Sequence, residues 1–453
     1  MADETRALAK FAQDLSYEQI PTHVRARALD NLVDQIGCEI GGSELPWAKQ
    51  VRDTYRRSGG MPEATVVRYG DRLPVTAAAF INGTFGHSFE FDDANRGHPG
   101  TELIPPLMAI AERDHASGRD FLTAFIAGYE VRGRVARAIV TDLQERGGPQ
   151  PSTTCGPFGV AAGVARLMGL GAEGIHNALG IAGGFAGGLM QYDHGGGSVK
   201  RIYAAIAGSS GIQAAHLAQA GVTGPEGILE GARGLLRIYA SVSRLELMAA
   251  DFGKRWMIET MSLKPYSCVG VIAAAIDGLR NLATAHNLGA GDIESIEVGY
   301  LKAFYDHAAI TSPHDLLGMQ FSTAYSLALT MLKGRNTPRE YTLEALNDPA
   351  IRAFASRVHV SEDVELSKRF EGHRSLSARV KVRTKTGDVH EELVINAKGS
   401  PSRPLSKDEV DNKFRSQVVD VLGAERCEKL LRTLRDIDAL DDMAKLPAMF
   451  IIK

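Results

Sequence analysis

Apolar residues recur at every fourth position over residues 24–40, at Val24, Ala28, Leu32, Ile36 and Ile40, the stripe of an amphipathic helix. Helix follows helix through about the first 260 residues. Pro105 and Pro106 open a predicted helix that runs through Arg113 and stops near Gly118, because proline suits a first helical turn whose N–H groups have no partner. Phe121 to Val140 continues the pattern, Gly147-Gly-Pro-Gln-Pro-Ser152 breaks it, and Phe158 to Met168 and Ala172 to Met190 resume it. The last of these carries Gly180, Gly184 and Gly188 at four-residue spacing. An interior glycine costs about 1 kcal/mol relative to alanine, so a face of glycines predicts a buried central helix in close contact with a neighbour.

After about residue 262 the period changes from helical to alternating. Ile296, Val298 and Tyr300 alternate with Glu297 and Gly299, and Leu376, Ala378, Val380 and Val382 alternate with Arg379, Lys381 and Arg383. Thr386-Gly387-Asp388 then turns the chain into Val389 to Ile395, giving strand, turn, strand. Phe321 to Leu332 and the chain from Asp408 onward read as helical, with a boundary at Ala397 to Pro404. The fold class is mainly α: a large all-helical domain over residues 1–262, completed by 401–453, plus a smaller α+β lid domain over 263–400. No internal repeat or low-complexity segment is evident.

Composition narrows the functional classes. A net charge of −3 with 44% hydrophobic and 23% charged residues is that of an ordinary globular protein and provides no field to hold nucleic acid or an anionic membrane. Cys38, Cys155, Cys268 and Cys427 lie more than a hundred residues apart, so no Cys-x-x-Cys pair or disulfide framework is expected. With no leader pattern at the N-terminus and no spanning apolar run, a cytoplasmic location is expected.

Candidate chemistry concentrates in residues 87–106. His87 and His98 bracket Glu90, Asp92 and Asp93, while Phe89 and Phe91 alternate with the first two carboxylates. The rings would anchor the segment and leave carboxylates and His98 near a cleft; the plainer alternative is a surface loop with one core histidine. Gly195-Gly-Gly-Ser-Val-Lys-Arg201 is no P-loop, since Ser198 and Val199 separate Gly197 from Lys200. It reads as a donor-rich turn entering a helix, with Lys200 and Arg201 suited to a small carboxylate, or else as a solvated basic pair. Lys264 falls where the period changes, and its position before Pro265 holds it extended with the side chain outward; ligand sites favour such junctions, although an ordinary hinge lysine would look the same. His314 and Tyr325 are weaker candidates, Tyr325 lying on an apolar helix.

Five segments together resemble the MmgE/PrpD family, in that family's order: His87 to Pro106, Ser152-Thr-Thr-Cys-Gly-Pro-Phe-Gly159, Gly197-Ser-Val-Lys-Arg201, Leu263-Lys-Pro-Tyr-Ser-Cys268 and Gln320-Phe-Ser322. The family includes 2-methylcitrate dehydratase, cis-aconitate decarboxylase and iminodisuccinate epimerase. The resemblance implies a helical domain with a smaller lid, a homodimer, no metal or organic cofactor, and a small di- or tricarboxylate substrate. Carried over by motif, the active-site acid falls on Glu90 with Asp92 and Asp93 beside it, the motif histidine on His98, and the two lysines on Lys200 and Lys264. Substrate contacts are expected from Asp92, Gln150, Arg201 and Tyr325. Many members have His-Pro where this chain has Gln150-Pro151, Thr where it has Ala94, and His where it has Tyr203. In the decarboxylase that first histidine is a candidate proton donor, so its replacement disfavours decarboxylation.

Removing a proton beside a carboxylate needs a base, positive charge for the developing dianion, and an acid for the leaving group. Lys200 and Lys264 would supply the charge, and Glu90 or Asp93 and His98 the acid and base. The expected function is therefore a cofactor-independent dehydratase of a citrate-like tricarboxylate such as 2-methylcitrate, with epimerase or decarboxylase as alternatives from the same carbanion-like species. Two readings from other classes are a metal-dependent hydrolase built on His87, Asp92, Asp93 and His98, and a carboxylate-binding protein without turnover.

Overall fold

The fold follows from a computed structural model that describes residues 3–145, 149–192, 196–240, 244–370 and 375–452. Gly147 and Gly148 of the breaker loop, and Gly195 of the donor-rich turn, lie outside the described residues. The chain is mainly α, with a large helical part and a smaller α+β part. The helix Thr22–Gly42 buries every residue of its predicted stripe, Val24, Ala28, Leu32, Ile36 and Ile40. Helices Gly118–Glu145, Pro151–Leu167 and Tyr203–Gln219 pack side by side, and Val75–Gly86 and Pro99–Arg113 complete the bundle.

Two apolar cores form. One runs from Leu8 to Leu263 and takes up Leu405 to Phe450 as well; the other lies between Cys268 and Ala397. The returning helix Lys407–Leu422 lays Phe414 and Gln417 against Gly37 of the helix Thr22–Gly42. In the second core a four-stranded sheet has the order Val358–Glu362, Ile293–Tyr300, Ala378–Thr384, Val389–Val394, with the first pair parallel and the others antiparallel. The strand Val358–Glu362 is not evident from the sequence pattern, as only Val358 of it is buried on the core side. Helix Ala273–His286 covers one face, its Gly278 against Val380 and Val394. Among the described residues no helix is long and apolar enough to cross a membrane.

Two helix expectations need correction. The helix expected to open at Pro105 begins at Pro99, and Pro105 and Pro106 lie inside it. Pro99 takes the first position, where its missing N–H matters least; burial of nearly every residue from Pro99 to Glu112 holds the helix through the proline pair. The helix expected over Ala172–Met190 ends at Ala182 and passes through a tight turn at Gly183–Phe185. Gly180 does make the expected close contact, with a Cβ there lying 2.7 Å from Gly224 Cα, but Gly184 and Gly187 face open space and Gly188 has φ +107°. These later glycines release the chain from the helix instead of building a face of it.

Candidate active site

The segment Ser88–Asp93 crosses between the helices Val75–Gly86 and Pro99–Arg113, and side chains from several elements capture its carbonyls. Arg201 donates to Ser88 O, Ser267 and Gln320 both donate to Phe89 O, and Lys413 donates to Phe91 O. His98 Nδ1 lies 2.8 Å from Asp93 O; a carbonyl only accepts, so this nitrogen carries the proton and Nε2 is left as the basic one. Backbone bound this way cannot drift when the charge on its side chains changes. Glu90 sits in it with φ +53°, a left-handed conformation that a non-glycine residue adopts only where its surroundings impose it.

Glu90 is the junction of the site. Its Oε1 is paired with Lys200, and Lys264 Nζ lies 3.0 Å from its Oε2. All three side chains are buried. Burial, then Lys264 and Arg201 nearby, press the Lys200 ammonium well below its ordinary range, and the Glu90 carboxylate in contact is the charge that opposes them. Lys264 was expected to point outward from an extended Lys-Pro step. The strand Ser262–Leu263 leads into it, and the antiparallel pairing of Asp93 with Leu263 and Ala94 with Ser262 turns the Lys264 side chain inward, onto Glu90.

Behind this ion pair lies a second polar layer. Asp92 Oδ2 is 2.8 Å from His87 Nδ1, 3.1 Å from His98 Nδ1 and 2.8 Å from the Thr101 hydroxyl. Burial alone would raise the Asp92 carboxyl, but His98 and His87 beside it more than offset this and hold it well below the usual range. Burial keeps His87 neutral, its titration pushed far down, so it donates through Nδ1 and offers Nε2 to Lys200 at 3.5 Å. Asp93 turns the other way: both its oxygens accept the Gly100 N–H at 3.0 Å in the first turn of the helix Pro99–Arg113. Burial and the Asp92 charge push Asp93 up to about 7.

The turn before that helix rests on a pair the sequence reading missed. Arg132 and Glu102 are fully buried and bidentate, at 2.8 and 2.9 Å. Arg132 also donates to Asn95 O and Arg96 O, and Glu102 accepts the His98 N–H. Gly97 has φ +117°, and a Cβ there would fall on the Arg132 guanidinium. The signal was three charged residues, Glu130, Arg132 and Arg134, set among the apolar Tyr129, Val131 and Val135.

A cavity of about 430 Å³ opens where the two cores meet. Glu90, His98, Lys200, Lys264 and Gln150 line it. Gln150 caps the helix Pro151–Leu167, its Oε1 accepting the Thr153 N–H, which leaves the amide NH₂ as its remaining donor group. The other candidates lie elsewhere. Asp92 and Asp93 stand behind His98 without lining the cavity, Arg201 is buried between Ser88 O, Gln320 and the Trp47 ring, and Tyr325 belongs to the second core. His314 is exposed. Donor atoms of His87, Asp92 and His98 are near enough together to hold a metal ion, but both imidazole Nδ1 atoms face one Asp92 oxygen as hydrogen-bond donors, and Asp93 is committed to Gly100. That is a hydrogen-bonded relay and does not present convergent lone pairs.

Residues 6–248 match the MmgE/PrpD N-terminal domain and residues 266–438 the MmgE/PrpD C-terminal domain. The chain belongs to the MmgE/PrpD family. Among its MmgE/PrpD relatives, a cis-aconitate decarboxylase-like protein of Aspergillus oryzae is 28% identical over 98% of this chain and 96% of its own length. The cis-aconitate decarboxylase of Aspergillus terreus is 25% identical over 98% and 94%, and the 2-methylcitrate dehydratase of Cupriavidus necator 25% over 80% and 79%. The C-terminal match includes the helices Lys407–Leu422 and Ala424–Arg435, which in this MmgE/PrpD chain pack into the first core.

Proposed function

We propose that the protein is a cofactor-independent lyase, a dehydratase of a citrate-like tricarboxylate such as 2-methylcitrate. The observation that carries this reading is the cavity wall shared by His98, whose proton sits on Nδ1 so that Nε2 is its basic nitrogen, and by a Glu90 carboxylate held between two buried lysines. His98 Nε2 takes the proton from the carbon next to a substrate carboxylate. Lys200 and Lys264, drawn in by Glu90, stabilise the charge that develops on that carboxylate. The β-hydroxyl leaves as water with a proton from the Lys200 ammonium, which burial makes a stronger acid. Asp92, kept ionised, steadies the His98 imidazolium once formed.

Decarboxylation is the second reading, favoured by the functions named for several relatives; against it, Gln150 at the cavity wall is an amide whose N–H groups are far too weakly acidic to transfer a proton. An epimerase would use the same base. The residues 263–400 would act as a lid over the cavity, and the protein would work in the cytoplasm, which suits four buried free cysteines, as a homodimer. Sedimentation showing a 48.7 kDa monomer at micromolar concentration contradicts the dimer.

The deciding experiment incubates the protein with citrate, 2-methylcitrate, cis-aconitate or iminodisuccinate in deuterated water and follows each by NMR. A new olefin from a hydroxy acid is expected. Released carbon dioxide would replace this reading with decarboxylation, solvent deuterium at an otherwise unchanged centre would replace it with epimerisation, and binding without turnover or exchange would leave a carboxylate-binding protein.

A further inference from the structure

The charge lining the cavity is lopsided. Among the described lining residues Glu90 is the only acid, against Lys200, Lys264, Lys398, Arg96, Arg137 and Arg255. Glu90 answers Lys200 and Lys264, and Lys398 Nζ lies 2.8 Å from Glu409. Three guanidinium groups then remain on the cavity wall. Arg96 gives its Nη1 to the carbonyls of Ala136 and Arg137. Arg137 stands one turn after Gly133 on the helix Gly118–Glu145, and both face the cavity. Its Nη1 is buried and has no hydrogen-bond partner among the described residues.

A buried guanidinium donor without an acceptor is destabilising, and here it stands beside a second cation, which adds repulsion. Such an arrangement becomes favourable when an anion arrives. The planar fork of arginine matches a carboxylate with two parallel hydrogen bonds. Arg137 reaches the cavity from a different element than Lys200 and Lys264 do, so it is not a third hand on the same carboxylate.

We propose that Arg137, with Arg96 beside it, binds a second substrate carboxylate, distinct from the one held by Lys200 and Lys264, and so makes the cavity selective for polycarboxylates over acids with a single carboxylate. This rests on the tricarboxylate reading above and adds a residue that holds a further carboxylate of that substrate.

The test is calorimetry with propane-1,2,3-tricarboxylate, which lacks the hydroxyl leaving group, and with butyrate, which carries a single carboxylate, on the wild type, Arg137→Gln and Arg137→Lys. Thermal melts confirm that both variants fold. The expected result is tenfold to hundredfold weaker tricarboxylate binding in Arg137→Gln, the equivalent of about 1.5–3 kcal/mol for a charge-assisted bond, with partial recovery in Arg137→Lys. Butyrate binding should change less than about threefold, because its one carboxylate can still use the lysines. If the wild type binds the tricarboxylate and Arg137→Gln binds it equally, or loses both ligands equally, this inference falls while the tricarboxylate reading stands. If the wild type binds no tricarboxylate, both fall.

Discussion

Lys264 Nζ lies 3.0 Å from Glu90 Oε2, across 174 positions of sequence, and a two-residue strand pairing, Asp93 with Leu263 and Ala94 with Ser262, brings them together. The pairing fastens the loop that carries Glu90 to the segment that carries Lys264, just where one apolar core gives way to the other.

Lys200→Met and Lys264→Met should each weaken tricarboxylate binding by about tenfold to hundredfold. For Lys264, at the junction, the fall in kcat should exceed the fall in affinity, because positioning matters most in the transition state. Each variant also leaves Glu90 buried with one partner fewer, a change that destabilises by about 3–5 kcal/mol when a buried pair is broken outright. Adding Glu90→Gln to Lys264→Met should recover much of the lost melting temperature. Steady-state kinetics and calorimetry check this, and unchanged rate and affinity in both single variants would remove the lysines from the mechanism.

His98→Ala should lower turnover by roughly 10²–10⁴, the usual contribution of a positioned base. Its stability loss should stay within about 1–3 kcal/mol, since the ring borders the cavity and its removal takes a donor from Asp93 O and from the buried Asp92 carboxylate. Turnover and urea unfolding on the same preparation separate the roles: full activity with a large loss of stability would make the histidine structural.

Gln320 accepts from Arg201 and donates to Phe89 O and Ser267, so it ties the second core to the backbone next to Glu90. Gln320→Leu keeps the volume but strands the buried Arg201 donor, and should cost about 1–3 kcal/mol together with a drop in kcat larger than any change in KM. A variant with wild-type unfolding and kcat would show that Ser267 alone suffices to hold Phe89 O.

Asp93 gives a pH signature. Folded, it keeps its proton up to about pH 7; its ordinary value is 3.8. Between those values the folded state binds more protons than the unfolded one, so stability falls as pH rises through about 4 to 7. Asp93→Asn, which can still accept from Gly100, should lack this fall. Melting curves of both proteins from pH 4.5 to 7.5 should therefore separate in the variant's favour as pH rises, and parallel curves would contradict the assignment.

Local pattern was enough to read the helix Thr22–Gly42, the strands Ile293–Tyr300, Ala378–Thr384 and Val389–Val394, and the change of period near residue 262, because a helix or strand with one buried face writes its own repeat into the chain. The clustering of Glu90, Asp92, Asp93 and His98 was legible for the same reason: the residues are neighbours in sequence. Proline and glycine misled where packing overrode their local preference, at Pro105 and Pro106 inside a buried helix and at the glycines after Ala182. Only the tertiary structure decided which carboxylate of the cluster faces the cavity. Asp92 and Asp93 carry the same group as Glu90, but two imidazoles claim one and the Gly100 N–H claims the other, and no pattern along the chain encodes which partner arrives from a distant element. The inward turn of Lys264, the buried pair of Arg132 and Glu102, and the Arg137 Nη1 left without a partner among the described residues have the same origin. A side chain's identity is fixed by its position in the sequence, whereas its charge state and its role are set by the groups that fold around it.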